Sequence, residues 1–403
     1  MCLAARLPLV SPSRTSAAAV AVLLFVLMPL DLSTAVAQAR DAPAEDMNQN
    51  GMDKPVSNGV FADVIIRARI TQRFEIYNPH SQEQLQDVKN MGFTQVILDW
   101  PNLHAAAGEI GLAVVLANWW TLETDDQEIE KGIDTAKRVD PRRLVGVSMM
   151  DEPERYAPDT PFSFYQALYY DLRAQFDQEL PGVKLEVSHW GPLASWTPRQ
   201  YETFIPLYQA TDRIRLMPYP DLHEGPLAEV YYQMIRSRHL MKLAGRDLPQ
   251  VVILQTWVLP EKPQLPRIEE LRVMAYSAIL CGADTLSFYS YDPELWRQTA
   301  GFTAGFADLM QELTEFSRQH SEATVEARMS GTGVLTATIT PAQGEPLSML
   351  VNTNRTSVDG LAGLEVVMDK SYQKPSFQSC AGRSVAPRRQ QLFRFRRLRC
   401  RPN

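Results

Sequence analysis

The chain has 403 residues, 45% of them hydrophobic and 22% charged, a globular composition that excludes wholesale disorder and fibrous repeats. Lys and Arg number 40 against 47 Asp and Glu, a formal net charge of −7, so neither nucleic acid nor an anionic membrane surface is expected as a partner. At roughly 100–200 residues per domain, the length allows one large domain and one small one, with core enough to need no metal or disulfide staple.

Residues 1–39 read as an export signal. Arg6 and Arg14 precede the apolar run 17–28, Pro29 and Asp31 end it, and Ala37-Gln38-Ala39 supplies a small-x-small cleavage pattern. The run is short for a bilayer span, so the mature chain is expected to be periplasmic or secreted, with no transmembrane segment. Residues 40–59, polar and without period, read as a flexible leader. Cys380 and Cys400 are free to pair in an oxidising compartment, and Cys281 reads as a buried thiol.

From about residue 60, short β-rich runs alternate with amphipathic helices. Predicted strands are 74–77, 93–99, 112–118, 144–150, 184–189, 212–217, 251–257 and 284–289. Between them lie helices at 81–91, opening on a Ser81/Gln84 capping box, at 125–139 and at 160–176, with Phe164, Leu168, Leu172 and Phe176 as its buried face. Further helices follow at 198–209, 227–243, 268–280 and 302–316. Eight β/α units within 60–322 predict an α/β fold, a (β/α)8 TIM barrel. No G-x-G-x-x-G follows the first strand, which removes the best marker of a dinucleotide fold. After residue 323 the period becomes two. Strands at 333–340, 347–351, 364–368 and 391–395 predict a small all-β, sandwich-like domain over 323–403. The run 64–70 either pairs with that domain or begins the barrel.

A parallel barrel carries its chemistry at the C-terminal ends of its strands. Those ends hold Tyr77-Asn78, Asp99-Trp100, Trp119-Trp120, Asp151-Glu152-Pro153, His189-Trp190, Tyr219, Gln255-Thr256-Trp257, Tyr289 and Tyr291-Asp292, with five of the seven Trp among them. Any single ring there is as well explained as a cap on the barrel core. The concentration points to a carbohydrate, whose faces stack on rings while its hydroxyls bind carboxylates and amides. Pro153 disfavours the helical region for Glu152 and is expected to hold it extended. A Glu walled by Met and aromatic side chains would have a raised pKa and suit general acid catalysis. No paired-His spacing, G-x-S-x-G or Walker motif competes, and neither metal nor cofactor is expected. The residues carry no signal for an oligomeric state.

With Asp-Glu-Pro closing its fourth strand, the chain resembles the (β/α)8 glycoside hydrolases of clan A, whose fourth strand ends in Asn-Glu-Pro or Asp-Glu-Pro. The similarity covers about residues 60–322 and includes 272–280 (RVMAYSAIL), Gly282-Ala283-Asp284 and 288–291 (FYSY). The resemblance implies Glu152 as the acid/base and His189, Tyr219 and Trp257 as subsite residues. The strand-end reading adds Asp99, Trp119, Trp120, Asp151, Trp190, Gln255 and Tyr291 as substrate-binding candidates. Clan A barrels carry a nucleophilic Glu at the end of the seventh strand. Here Gln255 stands at that place, and an amide is no nucleophile. Glu261, in the next loop, is the first candidate for a second carboxylate, with Asp99, Asp221 and Asp292 behind it. The expectation is an exported glycosidase acting on a poly- or oligosaccharide. The alternative is a non-catalytic glycan-binding or scaffold protein that kept the barrel and lost the nucleophile.

Overall fold

The computed structural model describes residues 64–369, apart from 119, 121–123, 154–161, 191–203, 221–224, 261 and 359–360. The predicted signal, the leader, the 391–395 strand and Cys380/Cys400 lie outside the described residues.

The chain opens with β1 (Ile66–Arg69) and β2 (Arg73–Tyr77), then α1 (Gln82–Asn90), β3 (Gln95–Leu98), a 3₁₀ turn leading into α2 (His104–Ile110), and β4 (Ala113–Ala117). Next come α3 (Asp126–Lys137), β5 (Leu144–Asp151), α4 (Phe162–Glu179), β6 (Lys184–Trp190), α5 (Ile205–Ala210) and β7 (Arg213–Met217). The barrel ends with α6 (Glu229–Leu243), β8 (Gln250–Gln255), α7 (Ile268–Leu280), β9 (Thr285–Tyr289), α8 (Pro293–Gln298) and α9 (Phe302–Gln319). The last strands are β10 (Thr324–Met329), β11 (Val334–Thr340), β12 (Leu347–Asn352) and β13 (Val366–Asp369).

Local chemistry sets several of these boundaries. The Ser81 hydroxyl accepts the Gln84 amide at 3.2 Å and the Asp125 carboxylate accepts that of Glu128 at 2.8 Å, capping α1 and α3. Gly111, at φ 86°, ends α2 in the left-handed conformation. On α4 the buried stripe is Tyr165, Tyr169, Leu172 and Phe176, whereas Phe164 is 59% exposed. Of the predicted face Leu172 and Phe176 are buried and Leu168 packs against the core, so only Phe164 departs from it, with Tyr165 turned inward in its place.

Strands β2 to β9 pair in parallel, each with the next, and β2 closes on β9 through Arg73↔Thr285 to Ile76↔Phe288. The (β/α)8 barrel is closed. Antiparallel pairing orders the remaining strands β1-β10-β11-β12-β13. Thus 64–70 joins the C-terminal sheet, Ile66 facing Ala327 in register. Among the described residues this part is one sheet, not a sandwich. Its alternating inner residues, such as Val325 and Ala327, are buried, and β10 and β12 pack on α7, which stands where a second sheet would. The Asn354 amide donates to Thr332 O and Asn352 Oδ1, both at 2.9 Å, so this Asn-Arg-Thr segment is a tied turn.

Between strands and helices lies one large apolar core, and inside the barrel a smaller one of Tyr77, Ile97, Val115, Met217, Val251 and Ile253. Below that smaller core the interior is charged. The Arg215 guanidinium is fully buried, binds Glu75, donates to Glu186 Oε2 at 2.5 Å and donates to the Tyr77 hydroxyl at 3.2 Å. Arg213 donates to Glu186 Oε1 at 2.7 Å, while Ser287 and Gln95 donate to the two Glu75 oxygens, each at 2.7 Å. Burial alone would push the Arg215 pKa down. The facing Glu75 and Glu186 carboxylates outweigh it and hold the cation well above its ordinary range.

Candidate active site

The fourth barrel strand, β5, carries Glu152 to the mouth in a way the sequence did not announce. Its register with β6 shifts between Ser148 and Met150, a bulge, yet the Glu152 amide still donates to Ser188 O at 2.9 Å. Glu152 is not extended. Its φ is +47°, in the left-handed region. Pro153 closes the right-handed helical region to it, and the chain turns out of the sheet through the mirror one. Such a conformation costs a non-glycine residue roughly 1–2 kcal/mol and is found where the surroundings hold a side chain in place. Glu152 is only 5% exposed.

A second left-handed residue sits at the end of β2. Asn78, at φ +55°, donates its amide nitrogen to Asp99 Oδ2 at 3.1 Å, while its backbone N–H donates to Ile97 O at 3.0 Å. Asn is among the residues that tolerate this region. Asp99 is thus held at the mouth by a neutral donor.

Four rings line the same face. Tyr77 and Tyr289 meet edge to face with centroids 5.0 Å apart, Tyr289 and Trp257 at 5.8 Å, and Trp257 and Tyr219 at 6.2 Å. The Arg215 hydrogen bond fixes the Tyr77 phenol from below. On β8, Gln255 is 3% exposed and donates Nε2 to Trp257 O at 2.8 Å. A backbone carbonyl only accepts, so this contact fixes which end of the amide is which. Gln255 Oε1 and Trp257 Nε1 are both buried, and neither has a hydrogen-bond partner among the described residues. Thr256 anchors the strand end, its N–H donating to Tyr289 O at 2.7 Å and its carbonyl accepting Trp296 Nε1 at 3.1 Å.

No family model and no curated protein matches this chain. Among solved structures it is similar to an endo-β-1,4-mannanase from Thermotoga petrophila, with 13% identity, a TM-score of 0.46, and 70% of this chain and 86% of that one covered. It is also similar to a glucosidase from Croceicoccus marinus, with 12% identity, a TM-score of 0.47, and 74% and 78% covered. For an endo-1,4-β-mannanase from Rhizomucor miehei the identity is 9%, the TM-score 0.44, and the coverage 61% and 95%. The (β/α)8 fold rests on the closed eight-stranded barrel itself.

Ring contacts join Tyr219 and Trp257 with Tyr289 and Tyr77, Gln255 is bonded to Trp257, Asn78 holds Asp99, and Glu152 stands at the end of β5. Tyr77 and Tyr289 stand among the strand-end residues but not among the substrate-binding candidates, and a period of two would have promoted them, since they share a face with the interior Glu75 and Ser287. Three candidates point elsewhere. His189 is one residue out of step with Ser188 on β6, so its ring turns outward and packs at α5, 4.9 Å from Phe204 and 5.6 Å from Tyr208. Trp120, 4% exposed, lies past the end of β4 against Phe176 of α4, with Gly132 of α3 beneath it. Tyr291 packs on Trp296 at 5.1 Å and donates its hydroxyl to Asp87 of α1 at 3.4 Å. Burial and that carboxylate push its pKa up to about 12, so it is a neutral core phenol. Asp292 is also spent, capping α8 by accepting the Glu294 and Leu295 amides. Trp119, Asp221, Glu261 and the side chains of Asp151 and Trp190 lie outside the described residues. Among the described residues no three His, Cys, Asp or Glu side chains could share a metal ion, and no helix is long and apolar enough to cross a membrane.

Proposed function

We propose that this is an exported protein that acts on a poly- or oligosaccharide at the barrel mouth, as a glycosidase with Glu152 as general acid. The observation that carries this reading is Glu152 itself. It is a buried carboxyl at the end of the fourth strand with a left-handed backbone, and the same end of the barrel carries the rings of Tyr77, Tyr219, Trp257 and Tyr289. In that role Glu152 protonates the glycosidic oxygen as the bond to the anomeric carbon breaks. Asp99, held by Asn78, is the described carboxylate at the mouth available as its counterpart, and its separation from the acid would set retention or inversion. Export rests on the pattern of residues 1–39.

Reducing-end release from a panel of neutral and acidic polysaccharides tests the reading. Cleavage of whichever glycan the protein attacks should fall by about 10²–10⁴ in Glu152→Gln, the usual worth of acid–base catalysis, with melting behaviour unchanged. Turnover at the wild-type rate would end the case for Glu152.

Gln255 favours a second reading. A neutral amide, locked to Trp257 O, stands where the resemblance calls for a nucleophile. Under that reading the mouth binds a glycan without cutting it. No reducing ends appear, Glu152→Gln leaves binding nearly intact, and Trp257→Ala abolishes it.

A further inference from the structure

Among the described residues at the mouth, the buried polar atoms without a partner include Gln255 Oε1, Trp257 Nε1 and Asn78 Oδ1. Buried polar groups in folded proteins are nearly always hydrogen-bonded, and unpaired ones gathered on one face mark a place that a ligand or ordered water completes. Gln255 is the most telling. It is 3% exposed, and its Nε2 is committed to Trp257 O, so Oε1 presents an acceptor that no described residue uses. Trp257, two residues on and just past the end of β8, presents a donor, with its ring held edge-on between Tyr219 and Tyr289. Asn78 repeats the arrangement on β2: its amide nitrogen is spent on Asp99, and its oxygen is unfilled.

The three atoms are thus two neutral acceptors and one neutral donor among aromatic rings. A hydroxyl both donates and accepts, so a polyol ring satisfies this set without bringing charge into the site. A uronate would bring a negative charge that none of these three atoms answers. The charged groups at the described strand ends 77–78, 99, 152, 219, 255–257 and 289–291 are the carboxylic residues Asp99 and Glu152, with no Lys or Arg to meet an anion. The buried cation nearest this face, Arg215, is already neutralised by Glu75 and Glu186.

From this we infer that Gln255 and Trp257, with Asn78, form a hydrogen-bonding edge that selects uncharged hexose oligosaccharides over uronic-acid ones. The inference rests on reading the mouth as a carbohydrate site. It holds whether or not the bound glycan is cut. Gln255 is here a specificity residue that accepts a hydroxyl, rather than a failed nucleophile.

The full chain is titrated by calorimetry and by Trp fluorescence with cellohexaose, mannohexaose, laminarihexaose and hexagalacturonate. At least one neutral hexasaccharide should bind, and hexagalacturonate at least tenfold more weakly. Gln255→Met removes the acceptor at nearly constant shape, and Trp257→Phe removes the donor while keeping a ring. Each should weaken neutral binding by roughly threefold to tenfold, the worth of one neutral hydrogen bond. Trp257→Phe covers the case in which Gln255→Met perturbs the strand, and melting curves of both report the fold. Unchanged neutral affinity in both variants would mean that water alone fills the edge and would overturn the inference, while the carbohydrate reading stands. Preference for the uronate would also overturn it. If no hexasaccharide of either class binds, the carbohydrate reading falls and takes the inference with it.

Discussion

Replacing Arg215 by methionine tests how the barrel interior tolerates its charges. Methionine keeps most of the length of the side chain and removes the cation that binds Glu75 and Glu186, all three side chains having 0% exposure. Glu75 would keep its bonds from Ser287 and Gln95, and Glu186 its pair with Arg213. Two buried carboxylates would then share one remaining cation. Breaking a buried pair from one side costs about 3–5 kcal/mol, which in a domain of this size lowers Tm by roughly 6–20 °C. The loss should depend on pH, with a definite sign. In the variant the abandoned carboxyl has a folded pKa above its unfolded value, so the deficit is full at neutral pH and shrinks as pH falls through the raised value. Calorimetric melts of wild type and variant at neutral and mildly acidic pH read both quantities. Adding Glu75→Gln balances the charge again and leaves the Glu186–Arg213 pair intact, so the double variant should be more stable than the single at neutral pH. A single-variant loss below about 1 kcal/mol, equal at both pH values, would refute the claim that the layer is held by mutual neutralisation.

The remaining predictions concern the helical layer. Glu229 is 8% exposed and burial raises its pKa, so it costs stability once ionised. Glu229→Gln should raise Tm by roughly 2 °C at pH 7, with the gain fading towards pH 4 in parallel thermal scans. Arg355 reaches from the C-terminal sheet to Glu270 of α7 at 2.8 Å and to Gly225 O at 3.0 Å. Burial would raise the Glu270 pKa, but bonds from Arg267 and Arg355 outweigh it and hold the carboxyl below its usual value. Arg355→Met should therefore cost about 1 kcal/mol at pH 7, a difference that disappears as pH falls below the ordinary Glu value in urea titrations. A Cβ on Gly132 would run into the Trp120 indole and sit 3.2 Å from Asn118 Nδ2. Gly132→Ala should thus lower stability by about 1–3 kcal/mol, although alanine favours the helix, and a stabilised variant would show that α3 can move away.

The barrel was legible because its strands are short apolar runs separated by capped helices, and each unit could be counted without knowing its neighbours. What pairs with 64–70 was not, since VIIRARI suits an edge strand of either sheet and only the register to β10 decides. The interior charge layer was hidden in plain view. F-E-I-Y, K-L-E-V and R-I-R-L-M alternate charged and apolar residues, but in a barrel either face of a strand is buried, so alternation does not say which side holds the charge. At the mouth, proximity to a strand end proved weaker evidence than parity along the strand. Gln255 and Trp257 share a parity and face inward, while His189, one residue out of step with Ser188, faces α5. Residues beyond the last ladder bond, Trp120 and Tyr291, escape the parity rule and were taken up by helices. The Glu152 backbone was misjudged for a local reason. Pro153 excludes one region, and the bulge in β5 decides between the two that remain.

The charged layer and the mouth are mechanically one object. Glu75 and Tyr77 on β2, Gln95 on β3, Glu186 on β6, Arg213 and Arg215 on β7, and Ser287 on β9 are joined by side-chain hydrogen bonds across the barrel interior. Three of those strands end in mouth rings: Tyr77 closes β2, Tyr289 closes β9, and Tyr219 follows β7. A hydrogen-bonded lattice resists the sliding of parallel strands that an apolar interior of equal volume would permit, because a shift in register would leave charges unpaired. The rings at the rim inherit that stiffness through one strand residue or two. Side chains that must present a fixed edge to a ligand gain from being rooted this way, since ordering them costs little when the ligand arrives. Arg213 and Arg215 stay in the floor, where their charge is spent on Glu75 and Glu186, and the described strand ends carry rings, amides and the carboxylic residues Asp99 and Glu152. On the proposed reading, one barrel thus combines a charged interior, which resists strand sliding, with a hydrogen-bonding edge that would meet a neutral ligand.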